Sequence, residues 1–227
     1  MIFEYRMSLL AGTLVTVELA LMSLLLSVLL GLLGARAKLS KSLTAHKVAG
    51  GYTTLVRGVP DLVLMLVLFY GGQQMVNDLG EATGLWDYVE INQFFAGVGT
   101  IGFIFGAYMT ETFRGAVLAV PRGQIEAGIA YGMSNWQVFS RILWPQMVRY
   151  ALPSFTNNWL VLIKSTALVS VIGLQDLVYN ANIAGRSVRQ PFTFMVAVLI
   201  VYLILTAISD SGLRWLDRRY SAGVRRA

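Results

Sequence analysis

Five apolar stretches recur along the chain, each close to the ~20 residues that an α-helix needs to cross a bilayer. They lie at about residues 9–33, 52–72, 94–113, 150–173 and 192–213. Charged residues make up 13% of the 227-residue sequence, about half the share of an ordinary soluble domain. A soluble domain of this size would need more charge to cover its core. The sequence therefore predicts a single all-α integral membrane domain with five transmembrane helices.

Several functional classes are excluded or made improbable by residue content. The chain has no cysteine and one histidine, His46, which excludes disulfides, thiol catalysis and a Cys- or His-rich metal site. Neither the phosphate-binding pattern GxxxxGK[ST] nor the zinc pattern HExxH occurs. We therefore expect no catalytic residues, no metal and no cofactor on this chain. The N-terminal region lacks the positively charged leading segment of a signal peptide and carries Glu4 and Glu18, so we interpret it as a retained first helix rather than a cleaved signal.

The basic residues, which give a net charge of +6, lie mostly in short connections and not in one nucleic-acid-binding patch. Three regions are rich in Lys and Arg: the first connection, the third connection and the C-terminal tail, which ends with Arg225 and Arg226. The second connection contains no Lys or Arg, and its charged residues are all acidic: Asp78, Glu81, Asp87 and Glu90. Because positive residues favour the cytoplasmic side, we predict a periplasmic N-terminus and a cytoplasmic C-terminus. The number of spans agrees, because five crossings place the two termini on opposite sides of the membrane.

The longest connection, about residues 114–149, has the strongest pattern. A short helix, a glycine stop and a second amphipathic helix ended near a proline are expected at about 122–146. Such a unit could dock as a rigid knob in a partner's groove, or it could lie on the lipid surface. The spacing is carried by five residues: Glu126, Ala127, Gly132, Ile142 and Pro145.

This pattern resembles the EAA loop of ABC importer permeases, with Gly128 in place of the second alanine and Trp144 in place of leucine. The first replacement keeps a small residue, and the second keeps an apolar one. The resemblance implies the type I importer fold, and it implies that the segment is the coupling helix that contacts a cytoplasmic ATPase subunit.

Other segments resemble the polar amino-acid family of these permeases: 57–62, 106–116 and 164–170. The runs RGVPDLVLMLVLFYGG, ALPSFTNNW and RRYSAGVRRA resemble the Q-type subunits of histidine and lysine/arginine/ornithine importers. The resemblance implies alternating-access import of basic L-amino acids across the inner membrane. It implies an M-type permease partner, two ATPase subunits that bind ATP and Mg, and a periplasmic binding protein. Opines or neutral polar amino acids remain alternative substrates.

Polar residues at membrane depth are costly and usually functional. Our candidates for the substrate pathway are Asp61, Arg57, Lys164, Glu18 and Asn157. We expect Asp61, Glu18 and Lys164 near mid-depth. Pro60 should break the helix beside Asp61, which could then meet a cationic side chain or an α-amino group while Arg57 or Lys164 meets the carboxylate.

Simpler roles compete with these assignments. Arg57 and Asp61 are four residues apart and could pair with each other on one helix face. Asn157 and its neighbour Asn158 could join helices, Glu111 is expected to pair with Arg114 at a helix end, and Gly102 with Gly106 should allow close helix packing. An intramembrane enzyme using Asp61 and Glu111, or a purely structural scaffold, are the alternatives of another class.

Overall fold

A computed structural model describes residues 2–221, and it contains no strand in that range. Five helical stretches within it are long and apolar enough to cross a membrane: Phe3–Leu39, Asp61–Thr83, Gln93–Ala119, Asn135–Ile172 and Pro191–Tyr220. The predicted all-α class and the number of spans are therefore confirmed. Arg225 and Arg226 lie outside the described residues.

The chain forms ten α-helices within residues 2–221, some joined through tighter or wider turns. They are α1 Arg6–Leu39, α2 Leu43–Gly58, α3 Asp61–Leu66, α4 Gly72–Thr83, α5 Gln93–Ala119, α6 Arg122–Ala130, α7 Asn135–Val138, α8 Trp144–Ser165, α9 Leu177–Ser187 and α10 Pro191–Ser221. A π-helical turn, Val67–Gly71, joins α3 to α4, and another, Phe139–Leu143, joins α7 to α8. A 3-10 segment, Thr166–Ile172, extends α8 and ends at Gly173 with φ +89°.

Close packing of α1 against α5 forms the centre of the bundle. The buried face of α1 consists largely of small residues: Gly12, Thr16, Ala20, Ser23, Ser27, Gly31 and Ala35. A Cβ added at Gly102 would lie 2.6 Å from Leu26, and one at Gly106 would lie 2.7 Å from the Tyr52 hydroxyl. The prediction that these two glycines allow close helix contact is confirmed, because neither position has room for a side chain.

The second span differs from the sequence-based expectation. It runs over Asp61–Thr83 rather than about 52–72, and α2 is a separate helix. The cause is Pro60, which has no amide hydrogen and forces the preceding Val59 into an extended conformation, with φ −116° and ψ 141°. Placing Asp61 near mid-depth was therefore wrong, since this residue lies in the first turn of the spanning helix.

The remaining spans extend beyond the predicted ends. The first reaches Leu39 instead of about residue 33, and the third reaches Ala119 instead of about 113. The fourth begins earlier than residue 150, because the chain stays helical from Asn135 through Pro145 into α8. Pro153 lies inside α8 without ending it.

Candidate functional site

Two polar cavities of about 460 and 480 Å³ lie beside the break between α2 and α3. They share three lining residues, Arg57, Tyr108 and Glu111. The first also contacts the ends of α1 and α2, whereas the second is bounded by α8. The remaining lining residues are Lys38, Thr53, Thr54 and Gly58 in the first cavity, and Thr112, Pro153, Ser154, Asn157 and Asn158 in the second.

Glu111 and Lys38 together join three helices at this site. Its carboxylate accepts a hydrogen bond from Lys38 of α1 and one of 2.9 Å from the Arg114 Nε of its own helix. Lys38 Nζ also donates to the Thr53 hydroxyl of α2 at 2.7 Å. The predicted Glu111–Arg114 pair is confirmed. Lys38 belongs to the first connection, whose basic residues served only to predict the orientation, so its place in the site was missed.

Arg57 lies at the last turn of α2, and its guanidinium carbon is 5.4 Å from the ring centroid of Tyr108. This is the geometry of a cation–π contact. Asp61 is half-buried on the other side of the break and forms no ion pair with Arg57 among the described residues. The proposed internal pair on one helix face is therefore wrong, because the extended residue Val59 separates the two side chains onto different helices.

The two asparagines of α8 have different surroundings. The Asn158 side chain donates to the Thr112 hydroxyl of α5 at 2.9 Å, so its predicted role as a helix-joining residue is confirmed. Asn157 is exposed and lines the second cavity. Lys164 and Glu18 are exposed on this chain and belong to neither cavity, so the structure does not bring them to Arg57.

The segment 122–146 forms a compact projection. α6 ends before Gly132, whose φ of +77° reverses the chain direction. Ser134 then starts α7 with a reciprocal cap: its hydroxyl accepts from Gln137 N at 3.3 Å, and its amide donates to the Gln137 side chain at 2.8 Å. Ile142 packs back on Gly128, where an added Cβ would lie only 2.6 Å from its Cδ1. A side chain at position 128 would therefore require the end of the Ile142 side chain to shift.

One detail of the segment differs from the expectation. The second helix does not end near Pro145, because the chain passes through the π-helical turn and Pro145 falls in the first turn of α8. Proline is tolerated there because the wider π-helical turn just before it changes the hydrogen-bond pattern, so that no amide is needed at position 145. Glu126, Ala127, Gly132 and Pro145 are exposed, and Ile142 is partly buried. Tyr131 and Trp136 project farther, with 88% and 71% of their surface exposed.

Comparison with known proteins assigns the chain to a family. Residues 7–222 match the family model described as binding-protein-dependent transport system inner membrane component. The chain belongs to this family. It is a multi-pass permease of the inner membrane, and permease subunits of ABC transporters are not themselves enzymes.

Similarity to individual relatives runs from end to end. The chain is 51% identical to the histidine/lysine/arginine/ornithine transport system permease protein HisQ of Escherichia coli K12, over 100% of this chain and 99% of that protein. It is 40% identical to the octopine transport system permease protein OccQ of Rhizobium meliloti, over 96% and 92%. The resemblance to polar amino-acid permeases is thereby confirmed.

Solved structures agree with the fold. A crystal structure of an amino acid ABC transporter with histidines matches with a TM-score of 0.82 and 28% identity, over 96% of both chains. The MetNI methionine ABC transporter, in inward-facing conformations, matches with a TM-score of 0.75 at 16% identity, which supports the fold alone. The type I ABC permease fold is therefore established, and it implies ATPase and substrate-binding partners.

Sequence reasoning missed Tyr108 as a site residue. A signal was available, since Tyr108 precedes Glu111 by one helical turn and therefore shares its helix face. The coupling and pathway assignments rest on residue patterns and cavity geometry, and they are argued below as proposals.

Proposed function

We propose that this chain is the Q-type permease subunit of an importer for basic L-amino acids: histidine, lysine, arginine and ornithine. The observation that carries the proposal is the 51% identity with HisQ across the full length of both chains. The cavities beside Arg57 support it, because they bring an anion, cations and amides together next to the start of the second spanning helix. Such groups can replace the hydration shell of a charged amino acid.

The complete machine requires partners that supply energy and substrate. We propose a homologous M-type permease in a pseudo-twofold heterodimer, two cytoplasmic ATPase subunits that bind ATP and Mg²⁺, and a periplasmic amino-acid-binding protein. ATP binding and hydrolysis would switch the pathway between outward and inward access. ATP can drive this switch only if it binds the outward-facing and inward-facing states with different affinities.

The segment 122–146 is our candidate for contact with the ATPase. Glu126, Ala127 and Gly132 are exposed on one projection, and the reciprocal cap at Ser134 with the Gly128–Ile142 contact holds its shape. A firmly shaped projection suits docking in a groove. The exposed Trp136 also suits a lipid interface, so the alternative of a helix lying on lipid remains an outcome of the coupling test described in the Discussion.

The substrate pathway is proposed along the two cavities. Arg57 would meet the substrate α-carboxylate and Asn157 would add hydrogen bonds, while Asp61 at the helix break would meet a cationic group. Lys164 and Glu18 are exposed on this chain, and intramembrane charges seldom face lipid. We therefore assign these two residues to surfaces covered by the partner permease or open to the pathway.

Substrate choice can be tested in proteoliposomes that contain the whole transporter with its own binding protein. We expect ATP-dependent uptake of arginine and histidine and no measurable uptake of octopine. Uptake of octopine in preference to both basic amino acids would replace the proposed substrate class with opines, as in OccQ.

The pathway is tested by Asp61→Asn in the same vesicles. Removing the carboxylate charge should lower the uptake of arginine about tenfold, the factor that corresponds to ~1.4 kcal/mol of lost attraction. The amount of purified complex should not change, because Asp61 has no ion pair with Arg57 to break. Asp87→Asn, on an exposed carboxylate of the second connection, is the matched control. Normal arginine uptake by Asp61→Asn would remove this residue from the pathway.

The proposed orientation is open to a direct test because the chain contains no cysteine. Single cysteines at Tyr5 and Asp87 should react with a membrane-impermeant thiol reagent added to the periplasmic side. Cysteines at Lys41 and Gln137 should react only after the membrane is opened. Labelling of position 137 in intact spheroplasts contradicts the five-span orientation.

A further inference from the structure

A buried polar cluster lies away from the cavities, where α1, α9 and α10 meet the 3-10 segment. Thr16 comes from α1, Thr166 from the 3-10 segment and Tyr202 from α10, and Asp176 caps the start of α9. Thr16, Thr166 and Asp176 each have 0% exposed surface. Neither the coupling segment nor the proposed pathway uses these residues.

The carboxylate of Asp176 is only half satisfied. Its Oδ1 accepts from the Tyr179 amide at 2.8 Å, as an N-cap does. Its Oδ2 is buried and has no hydrogen-bond partner among the described residues. A buried carboxylate oxygen without a donor is costly, so the site lacks a hydrogen-bond donor at this atom.

The hydroxyl groups around Asp176 already donate their hydrogen bonds to other acceptors. Thr16 donates to the Gly12 carbonyl at 2.9 Å, and Thr166 donates to the Ile163 carbonyl at 2.7 Å. The Tyr202 hydroxyl is 3.2 Å from the Thr166 oxygen, and because Thr166 has given its proton elsewhere, Tyr202 is the donor of that bond. None of these three hydroxyls therefore donates to Oδ2, which stays a buried oxygen without a donor.

Tight packing leaves little space beside Asp176 on the α1 side. A Cβ added at Gly12 would lie 2.8 Å from both the carbonyl carbon and the carbonyl oxygen of Asp176. The backbone of the α9 cap thus rests directly on α1, and none of the cavities described above is lined by this residue. The smallest species that removes the buried negative charge is a proton.

The electrostatic surroundings agree with this geometry. Burial raises the pKa of Asp176 from 3.8 to about 6, although backbone amides of the α9 cap act in the opposite direction. Tyr202 is the titratable side chain that faces the carboxyl from α10, while α1 and the 3-10 segment face it with the uncharged hydroxyls of Thr16 and Thr166. No cation among these groups holds the carboxyl in its ionised form.

We propose that Asp176 is a proton-binding site, and that the bound proton fastens the junction of α1, α9 and α10. The proton on Oδ2 neutralises a carboxylate that is fully buried and lacks a donor at this oxygen, so the closed junction takes up a proton and an opened junction releases it. The proposal concerns the folding of this chain and holds for any solute that the transporter carries.

The pH dependence has a defined sign. A carboxyl whose pKa is raised in the folded state contributes stability below its ordinary pKa of 3.8, and this contribution is lost as the pH rises through about 6. A shift of about two pKa units is a ~100-fold difference in proton affinity between the closed and the opened junction. That factor is the upper limit of the effect.

Hydrogen–deuterium exchange of α9 in the purified transporter tests the proposal. Asp176→Asn keeps the capping oxygen and places an N–H₂ donor where the proton would sit. At pH 7.5, exchange in the α9 peptide should be slower in Asp176→Asn than in the wild type, by at most ~100-fold. The ratio between the two proteins should approach one at pH 5, and comparing them at equal pH cancels the intrinsic pH effect on exchange.

Two further measurements keep the outcome decisive. Asp87→Asn, on an exposed carboxylate, should match the wild type at every pH. On lowering the pH from 7.5 to 5, the infrared carbonyl band of protonated carboxylic acids should grow more in the wild type than in Asp176→Asn, and the difference should correspond to one carboxyl group. A constant exchange ratio across this pH range, or equal growth of the band in the two proteins, overturns the proposal and indicates that a buried water satisfies an ionised Asp176.

Discussion

Pro60 and Pro145 both lie at the start of a long membrane helix, but the backbone before each proline has a different conformation. Before Pro60, α2 ends at Gly58, and the extended residue Val59 separates α2 from α3. Before Pro145, the chain passes through the π-helical turn Phe139–Leu143 and stays helical into α8. One proline separates two helices, whereas the other is absorbed within a continuous one.

The residues before each proline account for the difference. Gly58 is a poor helix former, and the β-branched Val59 readily adopts the extended conformation that a residue before proline prefers. Leu143 and Trp144 instead continue the helix, and a wider turn removes the need for the missing proline amide. A proline therefore marks a place where the hydrogen-bond pattern must change, and its neighbours decide whether the helix breaks.

The two outcomes suit different tasks. The break at Pro60 leaves Arg57 at a helix end beside the polar cavities. Continuity at Pro145 joins the segment 122–146 to α8, whose Asn157 lines one of these cavities. In our proposal, α8 carries movement from the ATPase contact to the substrate pathway without a flexible joint between them.

The largest expected effect comes from the continuous region. Gly132→Arg should lower ATP-dependent uptake at least tenfold while the protein remains in the membrane, because an arginine at this exposed bend obstructs the ATPase contact. ATP hydrolysis should continue without transport. The measurement is uptake and hydrolysis in the same proteoliposomes.

Gly84→Arg is the matched control for that variant. Gly84 and Gly132 have φ of +65° and +77°, and an added Cβ at either position meets nothing within 4 Å. Both substitutions thus carry the same backbone strain of roughly 1–2 kcal/mol. Equal loss of uptake in the two variants would attribute the defect to strain rather than to coupling, and normal uptake by Gly132→Arg would leave the lipid-surface alternative for this segment.

A smaller effect is expected at the break. Glu111→Gln leaves Lys38 and Arg114 without their shared anion, where the Lys38 and Glu111 side chains are 14% and 19% exposed. We expect a loss of about 2 kcal/mol in stability, below the range for fully buried pairs because Arg114 is partly exposed. The thermal midpoint of the purified complex measures it.

Two further variants test this explanation, one as a control and one as a partial rescue. Asp210→Asn removes the partner of Arg214, whose side chain is 65% exposed, so the midpoint of this variant should stay within error of the wild type. Lys38→Met combined with Glu111→Gln removes one of the two unpaired cations, the more buried one, and should recover part of the loss. An unchanged midpoint in Glu111→Gln alone would show that solvent in the cavity already screens the pair.

The sequence was sufficient where information is local. Apolar length gave the five spans, and the spacing of Glu126, Gly132 and Pro145 located the projecting segment. It was insufficient where geometry depends on distant elements. Lys38 reaches Glu111 across 73 sequence positions, and the Arg57–Tyr108 contact likewise joins residues from different helices. The misplaced depth of Asp61 had a local cause, since the effect of Pro60 on the helix start was given too little weight.

The smallest effects should separate the two prolines themselves. Pro60→Ala and Pro145→Ala each make the unfolded chain more flexible, which costs about 0.4–1 kcal/mol in either variant. Their effects on transport should differ. Alanine at position 60 restores an amide that can bond to the Val56 carbonyl, which favours joining α2 to α3 and moves Arg57 away from Tyr108; we expect arginine uptake to fall about threefold, equivalent to ~0.6 kcal/mol. Alanine at position 145 leaves the π-helical turn in place, because Val138 and Met147 anchor both sides of it in buried positions. Uptake should then stay near the wild-type value. Equal uptake by the two variants would show that the helix break makes no contribution of its own to the pathway.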